Sequence, residues 1–227
     1  GKRSPPVRER PAARWPGLRF DRAVVHSVDG GRVFADRTVA ALQRRAAAHG
    51  ARVHFEEPVI GIDRIDAGVA VRTGTRTFEA HTVVVAAGAW VSDVVPADIA
   101  LPRFVVSEER PAHFRPRDAS LRWPSFVHHL DDADALTFGA YGLESPGEGV
   151  KVGVEDAGSV DEVVDYVRQW HPGLDPEPVS STTCLFTSTP DEHFVIERHG
   201  PVVVCSPCSG HGFKFTPIIG ELVADLC

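Results

Sequence analysis

Methionine is absent from all 227 residues, and the chain starts at Gly1. Such a chain is not an unprocessed translation product, so a segment of a longer protein is expected. Lysine is nearly absent as well. Of 24 basic residues only Lys2, Lys151 and Lys214 are lysines, so arginine supplies the surface positive charge and each internal lysine stands out. No apolar run approaches the roughly 20 residues that a membrane-spanning helix needs. The stretch Gly1 to Arg14 is rich in Arg and Pro and has no apolar signal core, so the expected location is the cytoplasm. A net charge of −7 offers no basic face for phosphates and argues against a nucleic-acid partner. Cysteines are few: Cys184, Cys205, Cys208 and Cys227. Cys205-Ser206-Pro207-Cys208 has redox-motif spacing and His211 follows, but no second pair completes a closed zinc site. A structural role is expected there, and no metal. No Ser/His/Asp set has a nucleophile elbow, so hydrolysis has no support.

What is present begins with residues 1 to 20, read as a linker or peripheral segment. Val24 to Val28 and Arg52 to Phe55 read as short strands. Between them Asp36 or Thr38 can cap a helix with apolar positions Val39, Leu42 and Ala46, ending at His49-Gly50. Val59 to Ile65, Val69 to Thr73 and Arg76 to Ala80, punctuated by Gly68 and Gly74, suggest a meander. Thr82 to Ala86 is β-branched and continuous, as expected of a strand covered on both faces. It runs into Ala87-Gly88-Ala89-Trp90, the kind of small-residue turn where α/β folds place cofactors.

From Leu101 the texture changes. Short β-like runs (Phe104 to Ser107, Ala112 to Arg115, Ser125 to His129, Ala135 to Ala140, Val150 to Val154) are separated by Pro, Gly and Asp. They suggest an antiparallel sheet and a second architectural unit. One helix is expected over Val160 to Trp170, with Val163, Val164 and Val167 facing inward. Ser180 to Thr187 and Phe194 to Ile196 lead back to Val202-Val203-Val204. His128 and His129 are adjacent in a strand, point to opposite faces and cannot easily share a ligand. Asp131, Asp132 and Asp134 read as a solvated turn.

The chain is organised around Ser209-Gly210-His211-Gly212-Phe213-Lys214-Phe215. An apolar strand precedes it, and a helical pattern (Ile218, Ile219, Leu222, Val223, Leu226) follows. A strand, a glycine turn and a helix bring backbone N–H groups and a positive helix end against an anionic or electron-rich ligand. Lys214 sits between two phenylalanines, an odd place for an ammonium group unless something there requires it.

Three separated stretches share one pattern: Gly149-Val150-Lys151-Val152-Gly153, Thr183-Cys184-Leu185-Phe186-Thr187-Ser188-Thr189-Pro190-Asp191-Glu192-His193-Phe194, and Ser209 to Phe215. In this order they resemble the C-terminal part of the monomeric sarcosine oxidase and N-methyltryptophan oxidase family, FAD-dependent amine oxidases. The resemblance runs from about Arg14 to the C-terminus, and Val83 to Trp90 resembles the family's second FAD-contacting strand and turn.

That resemblance implies an α/β plus α+β fold. An incomplete FAD domain of the glutathione-reductase type, lacking its first βαβ unit, would occupy 21–95 and 183–227. An antiparallel-sheet substrate domain would occupy 96–182. It implies FAD as cofactor, with Cys184 matching the cysteine that carries the flavin through a thioether. Lys151 would assist reaction with oxygen, Lys214 would pair with the substrate carboxylate, and Tyr141 would line the substrate site. Val59, Gly88, Trp90, Gly210, His211, Gly212, Phe213 and Lys214 are the implied cofactor contacts. The implied partners are a small-molecule amine and oxygen. Three departures from the pattern point away from sarcosine itself: Glu155 replaces a histidine, Phe186 a tyrosine and Glu144 a proline; Cys208 also sits where an apolar residue is common. The family's G-x-G-x-x-G fingerprint is not in these 227 residues. The segment alone is therefore expected to bind FAD weakly and to expose apolar surface. The rival readings are a same-fold dehydrogenase with another acceptor and an inactive remnant of a disrupted gene.

Overall fold

The computed structural model describes residues 10–130 and 139–227. The aspartates at 131, 132 and 134 and the start of the strand expected from Ala135 lie outside the described residues. In chain order the first elements are α1 (Pro11–Arg14), α2 (Ala35–Ala48), β1 (Val59–Ile65), β2 (Gly68–Thr73), β3 (Thr77–Ala80), β4 (Val83–Val85) and α3 (Val91–Val94). Then come β5 (Val105–Glu109), β6 (Ala112–Pro116), β7 (Phe126–His128), β8 (Ala140–Ser145), β9 (Gly149–Val154) and α4 (Val160–Trp170). The last are β10 (Leu174–Ser181), β11 (Cys184–Ser188), β12 (Val195–His199), β13 (Val202–Ser206) and α5 (Thr216–Leu226). The chain divides into two units, Gly1–Arg32 with Glu108–Cys184, and Val33–Ser107 with Leu185–Cys227. It passes between them after Arg32, within β5 and within β11, and β5 and β11 pair as a two-stranded ribbon.

The first unit is built on a five-stranded antiparallel sheet in the order β10-β6-β9-β8-β7. Alternation along the strands sends Phe114, Ala140, Val150 and Val152 to one face. There α4 covers them with Val163, Val164, Tyr166 and Val167, forming one core. Asp161 and Glu162 in the first turn of α4 and Arg168 in the last complement the helix dipole. β10 carries Pro176 and Pro178 and lies at the sheet edge, where a missing N–H is tolerated. Residues 15–19, expected to be peripheral, pack here instead. Trp15 is buried, Arg19 N–H donates to Trp170 C=O at 2.8 Å, and Gly173 N–H donates to Gly17 C=O at 3.1 Å.

The second unit holds the meander β1-β2-β3 and a three-stranded sheet in the order β12-β13-β4. β13 is antiparallel to β12 and parallel to β4, with Val202 beside Val83 and Val204 beside Val85. Its core gathers Ile62, Val69, Val85, Val91, Ile99, Val195, Val202 and Val204. The structure departs from expectation in four places. Val24 to Val28 and Arg52 to Phe55 join no sheet. Ser180 to Thr187 splits at Thr182-Thr183, where the chain leaves β6 and takes β5 as its partner. β4 is not covered on both faces, since Val84 points away from the core and is 38% exposed. α2 starts at Ala35 with Phe34 at its N-cap, so neither Asp36 nor Thr38 caps it; Val39 and Leu42 are exposed.

Candidate active site

Parallel pairing fixes where two turns emerge in the second unit. β4 and β13 run the same way with Val85 and Val204 in register. Ala86 to Trp90 and Ser206 to Phe213 therefore leave the sheet at the same end. Gly88 has φ +54 and Gly210 has φ +71, conformations that favour glycine. A Cβ on Gly212 would overlap the Pro207 carbonyl oxygen, so this turn closes only on a glycine. Ser209 N–H donates to Thr187 C=O at 2.7 Å and anchors the turn to β11. A single 3-10 turn, Phe213–Phe215, then leads into α5, which has Pro217 in its first turn. The His211 ring lies tilted against Phe194, 4.9 Å between ring centres. Lys214 is exposed; its Nζ donates to His211 C=O at 2.7 Å and lies 5.2 Å from the Phe215 ring centre. Trp90 is 61% exposed, and open space surrounds Gly88 where a Cβ would stand. Val59 opens β1, opposite Thr73.

In the first unit the sheet face turned away from α4 carries the other expected residues. Tyr141 is opposite Gly153, Leu143 is opposite Lys151, and Lys151 is opposite His113. These side chains share one face, so Tyr141 and Lys151 stand on neighbouring strands one step apart. Gly153 makes this possible, because a Cβ there would lie 2.5 Å from Cζ of Tyr141; the ring lies across it. Burial first, then the charges of Cys184 and Glu109, push the Tyr141 hydroxyl up to about 12. Cys184 is partly buried at the start of β11. His113 is held below its usual range by burial, with Lys151 adding to the effect and Glu148 opposing it. Its Nδ1 is 3.4 Å from Ser180 Oγ and its Nε2 is 3.5 Å from the Glu148 carboxylate.

Two further polar groups in this unit escaped the sequence reading. Glu109, at the end of β5, is 3% exposed and accepts the Asp156 N–H at 3.4 Å. His171, 2% exposed, sits among the rings of Trp123, Phe126 and Tyr166. Both of its nitrogens are buried without a hydrogen-bond partner among the described residues. Burial, and the neighbouring His128, lower its pKa to about 4. His128 Nδ1 is 2.9 Å from Tyr166 Oη, so the inward member of the His128-His129 pair belongs to the sheet–helix core. In the second unit, Cys205 is buried at the end of β13, and Ser206 Oγ donates to Cys208 Sγ at 3.5 Å.

This frame matches known proteins. The family model described as FAD dependent oxidoreductase (DAO) covers residues 5–226. The chain belongs to that family. Among curated relatives, a monomeric sarcosine oxidase of Streptomyces avermitilis is 31% identical over 229 residues, 91% of this chain and 59% of the relative. The peroxisomal sarcosine oxidase of Mus musculus is 31% identical, over 94% of this chain and 61% of the relative. An N-methyl-L-tryptophan oxidase of Escherichia coli O127:H6 is 27% identical, over 94% and 62%. The chain thus spans about three fifths of the length of these relatives. Among solved structures, NikD, an unusual amino acid oxidase essential for nikkomycin biosynthesis, aligns with a TM-score of 0.71 at 27% identity, over 83% of this chain and 55% of that one. Glycine oxidase from Geobacillus kaustophilus shares the fold with a TM-score of 0.67 at 23% identity, over 82% and 52%.

FAD dependence comes with the family. The twin turns at the end of β4 and β13 fit such a group. Gly88 and Gly210 keep φ positive, Gly212 keeps the backbone low, and the amides of Gly210 and Gly212 donate to no backbone carbonyl among the described residues. A low, donor-rich backbone suits a flat, electron-rich heterocycle.

Proposed function

We propose that this chain is the substrate-binding part and the distal cofactor-binding part of a flavin amine oxidase. Its substrate is a secondary amine or N-methyl amino acid, oxygen is the acceptor, and hydrogen peroxide is a product. The observation that carries this reading is the shared face of Tyr141 and Lys151, neighbours across β8 and β9 with His113 beyond. An ammonium group and a partly buried phenol on one face of an antiparallel sheet suit a carboxylate-bearing amine and a reaction that makes anionic oxygen. Bound FAD would supply the two-electron acceptor that takes hydride from the carbon beside nitrogen and passes the electrons to oxygen. The Gly88–Trp90 and Gly210–Phe213 turns and Val59 would hold it, with Cys184 as the thiol for a covalent link. The ADP half would be held by residues outside these 227, where the glycine fingerprint would lie.

Each side chain then has a separate task. The Lys214 ammonium, steadied by the His211 carbonyl, holds the substrate carboxylate. The Tyr141 hydroxyl, kept protonated by burial, donates to the substrate. The Lys151 ammonium favours the negative charge that develops on oxygen.

The full-length, flavin-loaded protein tests this against a panel of N-methyl amino acids, with oxygen uptake and peroxide measured together. One peroxide per oxygen consumed is expected. Lys151→Met should slow the oxygen step on the order of 100-fold while leaving anaerobic bleaching of the flavin intact. Bleaching without reaction with oxygen would identify a dehydrogenase, and no bleaching by any amine would end the amine reading.

A further inference from the structure

Glu109 has no task in the scheme above, and its surroundings do not suit a structural carboxylate. It is 3% exposed, and among the described residues its one hydrogen bond is the long contact from Asp156 N–H at 3.4 Å to Oε1. No lysine or arginine among the described residues pairs with it. Burial first, then the charges of Asp156 and Glu155, raise its pKa, while the Asp156 amide opposes them. A carboxyl buried with one weak partner is costly to ionise unless a cation arrives.

Geometry brings Glu109 and the Tyr141 ring to the same end of β9. The tyrosine ring crosses β9 at Gly153, with Oη over the glycine. The amide that Glu109 accepts belongs to Asp156, three residues further along from Gly153. On the other side of β9, the pairing of Ala112 with Val152 brings the start of β6, directly after Glu109-Arg110-Pro111, to the same end of the strand. The charge of Glu109 is accordingly felt at the Tyr141 hydroxyl. That hydroxyl makes no hydrogen bond among the described residues.

We propose that the Glu109 carboxylate is the counter-ion of the substrate's ammonium group and takes its proton. This rests on the reading that Tyr141 lines the amine site. The ligand class is an aliphatic amine that arrives as a cation. The step balances without an oxidant: an N–H bond of R2NH2+ breaks, an O–H bond forms on Oε2, and an ammonium–carboxylate pair becomes a neutral amine and a neutral carboxyl. The amine's lone pair is then free, as loss of hydride from the adjacent carbon requires.

The test compares two unreactive probes on the flavin-loaded protein, with binding read by calorimetry. N,N,N-trimethylglycine carries a permanent cation and has no lone pair to activate. 3,3-Dimethylbutanoate has the same shape without the charge. The wild type should favour the cation by about 10-fold or more, in the range of a charge-assisted contact. Glu109→Gln keeps an oxygen for the Asp156 amide; it should erase that preference and leave 3,3-dimethylbutanoate binding unchanged. Glu109→Asp, which keeps the charge, should retain part of it. A preference intact in Glu109→Gln, or lost alike in both variants, overturns the assignment of Glu109 alone. Failure of the wild type to bind either probe overturns the amine-site reading beneath it.

Discussion

Acid is expected to destabilise this protein through His171 well before the carboxylates of the fold are neutralised. The unfolded imidazole titrates near the ordinary 6.5, whereas burial and His128 hold the folded one at about 4. Above 6.5 neither state is charged and the full stability is present. Between 6.5 and 4 the unfolded chain takes up a proton that the fold refuses, so stability falls with pH; below 4 the loss stops growing. Each pH unit is worth about 1.36 kcal/mol, which gives about 2.5 kcal/mol lost by pH 4.5 and a ceiling of about 3.4 kcal/mol. His171→Phe fits the same cage of Trp123, Phe126 and Tyr166, and it removes both unpartnered nitrogens. Urea melts of wild type and variant at several pH values between 7.5 and 4.5 isolate the effect of His171 and its coupling to His128, because the remaining titrations are common to both. The variant should gain on the wild type by about 2.5 kcal/mol across that range. A difference that stays flat would show that His171 is solvated in the fold and that the cage reading is wrong.

Two further outcomes are expected. Gly212→Ala drives a Cβ into the Pro207 carbonyl and should cost on the order of 3–5 kcal/mol, whereas Gly210→Ala, strained only by its φ of +71, should cost about 1–2 kcal/mol; thermal melts order the pair. If Cys184 carries the flavin, acid precipitation leaves the colour in the pellet of full-length wild type and releases it from Cys184→Ser; colour in the wild-type supernatant refutes the covalent link.

Much of the architecture was legible because period and punctuation agreed. Val163, Val164 and Val167 mark one face of α4, and its ends fall at the expected Val160 and Trp170. Gly68 opens the second strand of the meander, and Gly74 lies in the turn before the third. Strand order was not legible, since nothing local to Lys151 says that β9 lies between β6 and β8. The alternating runs 24–28 and 52–55 failed as strands because alternation describes a face, while a strand also needs a neighbouring edge to bond. Ser180 to Thr187 looks continuous, yet changes partner within two residues. Resemblance singled out Tyr141 and Lys151 as expected site residues; nothing in the sequence singled out Glu109 or His171. A glutamate after Val105-Val106 and a histidine before Pro172 look like surface residues until long-range packing encloses them.

The parallel pairing of β4 and β13 also sets a timetable for synthesis. Val85 and its neighbour Val204 are 119 residues apart in the chain. At typical ribosomal speeds of about 5–20 residues per second, β4 waits roughly 6–24 s for that neighbour. Throughout this interval one side of a Val-Val-Val strand has no bonding partner from β13. Chaperone engagement during translation should therefore begin soon after β4 emerges and end once β13 has been made.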